Sequence, residues 1–143
     1  MTNNFKDRSN YFKGLLLLVG ADKIITDEET KLLTSIGKTL GFEKRFIKEV
    51  INDYLENEYI SHEPPKFSQT NYAKAFIKDG IRLALADNEL QSVEVEWLKK
   101  TADENSIPLT WVDNYLNKYL SNRTALENTP LEIEKFFNPS FAG

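Results

Sequence analysis

Four carboxylates stand at matching places in this chain. Asp22 and Glu29 open and close the stretch ADKIITDEE from Ala21, and Asp87 and Glu94 do the same in Ala86–Glu94, ADNELQSVE. Each aspartate falls at or just past the end of an apolar, helix-like run. The helix dipole is negative at that end, so an exposed anion there costs about 0.3–1 kcal/mol. Two kinds of partner could offset this. The aspartate could accept backbone N–H groups in an Asx-turn, with Glu29 and Glu94 capping the helices that follow. Alternatively, the aspartate, nearby carbonyls and the glutamate could form an oxygen-rich pocket for a divalent cation, calcium, magnesium or manganese. The spacing is too short for an EF-hand loop. The residues leave both readings open.

The elements that must position these carboxylates occur twice. Shifting the chain by 65 places Asp22 on Asp87 (87 − 22 = 65) and Glu29 on Glu94 (94 − 29 = 65) without a gap. Lys13 then meets Lys78, Leu33 meets Leu98, Phe46 meets Trp111, and Tyr54-Leu55 meets Tyr119-Leu120. A rigid offset of this kind indicates two copies of one unit. The prediction is a single all-α domain of about seven helices, a bundle with an internal pseudo-twofold repeat. Repeat one spans about 9–56, a connection 57–71, repeat two about 72–121, and a tail helix about 130–137.

Each unit reads as three helices. Tyr11–Ala21 is apolar almost all round. Thr26 and Glu29 form a capping box for a second helix carrying Leu33, Ile36 and Leu40, which Gly41 ends. Phe46, Ile47, Val50, Ile51 and Tyr54 form the face of the third. In the second unit Ala73, Phe76, Ile77, Gly80 and Ile81 mark the first helix, Trp97, Leu98 and Thr101 the second, and Trp111, Val112, Tyr115 and Tyr119 the third, begun by Pro108. No stretch alternates with period two. The pair Pro64-Pro65 marks the connection as a surface segment, with a short helix around Tyr59. Thr129 and Pro130 predict the start of the tail helix, with Phe136 and Phe137 against the body. The first eight residues read as loose.

The chain has 143 residues, enough to bury roughly 70% of its unfolded surface. A net charge of −4, with mixed signs along the chain, argues against nucleic acid and anionic membrane partners. No cysteine is present and there is one histidine, His62, which argues against zinc, copper, thiol chemistry and disulfides. Leu15–Val19 is too short to span a bilayer. The composition predicts a soluble, cytoplasmic protein.

The two stretches Ala21–Glu29 and Ala86–Glu94 resemble the paired signature of the tellurite-resistance TerB-like domain family, in which each half reads Ala-Asp-Gly, a hydrophobic residue, a small polar cap and a glutamate. The N-terminal domain of a membrane-anchored DnaJ-type co-chaperone, DjlA, is similar. The resemblance runs from about Tyr11 to Leu120. It implies an all-helical fold with pseudo-symmetry and acidic clusters for divalent cations, with Asp22 and Glu29 as metal ligands in one half and Asp87 and Glu94 in the other. Asp27 and Glu89 would be helpers with no equivalent in the pattern. The chain departs from the family where glycine follows the aspartate: Lys23 and Asn88 stand there, and Lys23 adopts a left-handed conformation less readily than Asn88. The family implies a bacterial metal or stress response and partner binding, and no catalytic activity.

Nothing else carries a sharp chemical signal. His62 lies beside Glu63 in the connection without a nucleophile motif, and no glycine-rich phosphate loop is present. Trp97, Trp111, Tyr115 and Tyr119 fall on helical stripes and read as core. Lys44, Arg45 and Lys48 are interleaved with Glu43, Glu49 and Asp53, a solvated mixed face. Two functional expectations follow: a non-enzymatic domain that binds or senses a divalent cation through its acidic loops, or a metal-free interaction scaffold for an unidentified protein partner whose acidic loops are only capping turns.

Overall fold

Asp79 is the last thing a sequence pattern would bury, yet the chain is organised around it. The computed structural model describes residues 5–20, 24–57, 61–87 and 90–137, the side chains of Asp87 and Phe137 excepted. These residues form α1 (Phe5–Val19), α2 (Asp27–Thr39), α3 (Lys44–Glu56), α4 (Thr70–Ala84), a 3₁₀ turn (Leu85–Asp87), α5 (Ser92–Glu104), α6 (Leu109–Ser121), α7 (Arg123–Glu127) and α8 (Glu134–Phe137). The all-α expectation holds, and no strand occurs among the described residues. The described residues form eight helices rather than about seven, because α7 went unread in the sequence. The helices of the first half have the same lengths as those of the second, 15, 13 and 13 residues, and each starts 65 positions earlier (70 − 5, 92 − 27, 109 − 44).

Local chemistry sets the helix ends. Thr26 caps α2, accepting the Glu29 N–H at 3.1 Å while Glu29 Oε1 accepts the Thr26 N–H at 2.9 Å. Gly41, at φ +93°, adopts the left-handed conformation that ends α2. The expected faces are buried: Leu33 and Ile36 on α2, Ile47, Ile51 and Tyr54 on α3, Leu98 on α5, Val112 and Tyr119 on α6. Phe46 departs from its stripe and is 44% exposed.

α1 and α4 pack against each other at the centre. Gly14 and Gly80 are the contact points. A Cβ at Gly14 would lie 2.8 Å from the Phe76 ring, and one at Gly80 would lie 3.0 Å from Leu18. Between the helices the Tyr11 hydroxyl donates to Asp79 Oδ2 at 2.6 Å. The same carboxylate accepts the N–H groups of Glu132 at 2.8 Å and Ile133 at 3.0 Å, and so anchors the chain after α7. Leu131 and Ile133 are consequently buried.

Three boundary expectations are corrected by such tethers. α1 begins at Phe5, not near residue 9, and residues 5–8 are not loose. Buried Asp7 accepts the Ser68 N–H at 3.0 Å and also the Ser68 hydroxyl, which ties this first turn to the connection. The connection runs over the surface, as expected, but it is pinned there. Asn105 accepts the Phe67 N–H and donates to the Pro65 carbonyl, both at 2.9 Å, and the Trp97 indole donates to the His62 carbonyl at 2.9 Å. The Phe67 ring meets Tyr11 and Phe76 edge-on or tilted, at centroid distances of 5.9 and 5.3 Å. α4 accordingly begins at Thr70, two residues before the expected start near 72. The predicted helix around Tyr59 lies outside the described residues.

The tail helix starts at Glu134 rather than Pro130. Thr129 does not cap it: its hydroxyl donates back to the Leu126 carbonyl at 2.6 Å, closing α7. The amides of residues 132 and 133 face Asp79 instead of entering a helix, and Glu134 accepts the Leu131 N–H at 2.6 Å. Phe136 packs edge-on against Tyr72 at 5.0 Å, as expected of the tail.

Burial pushes the Asp79 carboxyl up to about 6, against the opposing pull of the Tyr11 hydroxyl and the two amides. The folded state therefore holds a proton that the unfolded chain releases between about pH 4 and 6, and Asp79 makes the protein more stable as pH falls through that window. On protonation the Tyr11 hydroxyl can turn from donor to acceptor, so the tether survives. Asp79→Ala, which leaves three buried donors unpaired, should lower stability at pH 7 by about 3 kcal/mol in urea unfolding. The wild-type rise in stability from pH 6 to 4, of about 3 kcal/mol at most, should be absent in the variant.

Candidate functional site

The four sequence-predicted carboxylates fare differently. Asp22 and Glu89 lie outside the described residues. Asp87 ends the 3₁₀ turn after α4, and that turn packs against α2, the helix that begins with Asp27, Glu28 and Glu29. Glu29 is 4% exposed and directs one carboxylate oxygen to the Thr26 amide. Glu94 does the same for the Gln91 amide, at 2.9 Å. Asp27 is exposed at the start of α2. Among the described residues no three His, Asp or Glu side chains converge as a metal site would require. Glu29 and Glu94 each cap the helix that follows, as the Thr26-x-x-Glu29 pattern predicts for the first of them.

A second feature was not read from the sequence. α1 and α3 diverge to leave a groove of about 470 Å³. Leu16 and Leu17 from α1 and Phe46, Val50 and Tyr54 from α3 make it apolar, and Lys13 and Asp53 stand at its edges. Asn57 and Ser61 also line it. Lys13 is exposed, and among the described residues its side chain has no ion-pair or hydrogen-bond partner. It also borders a neighbouring cleft with Leu17, Pro64, Pro65 and Lys66. Phe46 is exposed because its ring lies over this opening, tilted against Phe42 at 5.3 Å, rather than in the core.

The corresponding place in the second half, between α4 and α6, is filled by the chain itself. Only about 30 Å³ remains there. Leu126 of α7 packs against the core. Arg82 donates to the carbonyls of Thr129 and Glu127 at 2.7 and 2.8 Å. Lys78 pairs with Glu132 at 3.3 Å and lies 5.3 Å from the Tyr115 ring centroid. The electrostatics follow. Burial would raise Glu132, but Lys135 and Lys78 outweigh it and hold the carboxyl below its ordinary value. Burial and the Glu132 charge push Tyr115 up to about 12. Trp111 and Tyr115, expected as core, stack at 5.8 Å in a partly covered wall of this site.

The signal for the open groove was present at the constant offset. Leu17 stands where Arg82 does, and Ser61 where Leu126 does (82 − 17 = 65, 126 − 61 = 65).

No family model, curated protein or solved structure matches the chain. The TerB-like resemblance thus rests on the two acidic stretches themselves.

The capping role of Glu29 separates shape from charge. Glu29→Gln keeps an acceptor for the Thr26 amide, since the capping box takes either residue. It should change stability by less than about 0.5 kcal/mol, whereas Glu29→Ala should cost about 1 kcal/mol, as cap losses do. Urea unfolding with and without millimolar calcium, magnesium or manganese checks this. A metal-dependent gain in the wild type that Glu29→Gln abolishes would assign the carboxylate to a cation instead.

Proposed function

We propose that the chain is a non-enzymatic helical interaction module of TerB-like, internally doubled architecture, which engages a protein partner through the groove between α1 and α3. The open apolar groove carries the reading. It presents Leu17, Val50 and Phe46 to solvent beside a lysine that has no ion-pair partner among the described residues, while the related place in the second half is filled. An apolar trough between two helices suits a short amphipathic helix laid into it. The matched helix lengths at one offset support the doubled architecture. Glu29 and Glu94 each give one carboxylate oxygen to a backbone amide, as expected of a scaffold whose acidic loops are capping turns. The resemblance sets this module in a bacterial stress response of the tellurite-resistance kind.

A displayed library of amphipathic helices is the direct test. Ligands selected on the wild type should lose at least tenfold in affinity on Phe46→Asp, a substitution at an exposed position that should leave helicity by circular dichroism unchanged. A library that yields no ligand, or ligands indifferent to Phe46→Asp, would end this reading.

A further inference from the structure

We infer that the segment after α6 is exchanged between two copies of this chain: Asn122 is a hinge, and when it turns helical α6 and α7 join and the released tail docks between α4 and α6 of a second copy. The inference uses a different site from the α1–α3 groove and does not depend on it.

The hinge is one residue long. α6 ends at Ser121 and α7 begins at Arg123, so Asn122 alone separates them. The helical ladder already runs into this residue and out of it. Its N–H donates to the Lys118 carbonyl at 3.2 Å, and its own carbonyl accepts the Leu126 N–H at 3.0 Å. At φ −126° and ψ 29° its backbone lies outside the helical region. The side chain supports the break, because Nδ2 donates to the same Lys118 carbonyl at 3.0 Å and so competes with the backbone. No proline or glycine stands between Leu109 and Glu127, so one continuous helix over 109–127 is open to the chain.

The groups that hold the tail lie far from the hinge in sequence. Arg82 grips the carbonyls of Glu127 and Thr129, Lys78 pairs with Glu132, and Asp79 accepts the amides of Glu132 and Ile133. Arg123 donates to the Leu85 carbonyl at 2.6 Å. All of these partners stand on α4 or the 3₁₀ turn after it. The same segment of another copy can make every one of these contacts. Buried Asp79 makes a vacated site costly, since its carboxylate would lose two donors. A body whose own tail has swung away therefore takes up the tail of a second copy, and the reciprocal exchange closes a twofold dimer without any new surface.

Charge reversal separates exchange from closure within one chain. Lys78→Glu and Glu132→Lys are made in separate full-length chains. Positions 78 and 132 then repel within either chain, and they attract at both sites of an exchanged pair of the two. The variants are mixed in urea at the unfolding midpoint, diluted, and compared with each variant treated alone by sedimentation velocity. The mixture should contain at least fivefold more dimer than either variant by itself. In the otherwise native chain Asn122→Ala should raise the dimer association constant about tenfold, because each copy gains the best helix former at the joint. Asn122→Gly should lower it. A mixture with no more dimer than its parts would overturn the inference. So would a dimer indifferent to Asn122→Ala. A dimer that Phe46→Asp removes and the charge variants leave unchanged would place the contact at the α1–α3 groove and also overturn it.

Discussion

A carboxylate with three donors and almost no water holds this fold together. Asp79 is 1% exposed, and it joins α1, α4 and the segment after α7 in a single cluster. Burying such a group without partners would be prohibitive. Its presence therefore requires the Tyr11 hydroxyl on one side and the amides of Glu132 and Ile133 on the other. That requirement fixes where the tail runs. It also explains why α8 begins late, since amides that face a carboxylate are not available to start a helix at Pro130. Glycines at the α1–α4 contact let the two backbones approach closely enough for this geometry.

The consequence is an asymmetry between halves that otherwise run in step. The tail, drawn in by Asp79, brings Leu126 and Glu132 over the site between α4 and α6. In the first half Gly14 stands where Asp79 does (79 − 14 = 65), and a side chain there would collide with Phe76 and Pro65. The connection is held by other means, through Asn105, Trp97 and Asp7, and among the described residues nothing fills the trough between α1 and α3. A difference of one side chain at the tether thus accompanies a difference between a filled site and, among the described residues, an unfilled one.

The candidate site was legible only in part. The acidic corners were visible because a repeated Asp and Glu stand out against any composition, and the capping role of Glu29 follows from a local pattern that needs no tertiary information. The groove was not visible, because Phe46, Val50 and Leu17 have the same apolar character whether they face a core or an opening. Periodicity reports which residues share a face of a helix. It does not report whether another element arrives to cover that face.

What the sequence by itself determined is local: the helical character of α1 to α6, the Thr26 cap, the stop at Gly41, and the common spacing of the two halves. These depend on contacts within a few residues or on direct comparison of one stretch with another. Tertiary structure decided the rest, namely the docking of α1 from Phe5, the pinned connection, the delayed α8 and the burial of Asp79. Each of these joins residues tens of positions apart, such as Asp7 with Ser68 or Asp79 with Ile133. A polar residue in a helical stripe looks the same on paper whether it meets water or a distant backbone amide, and only the folded chain brings that amide to it.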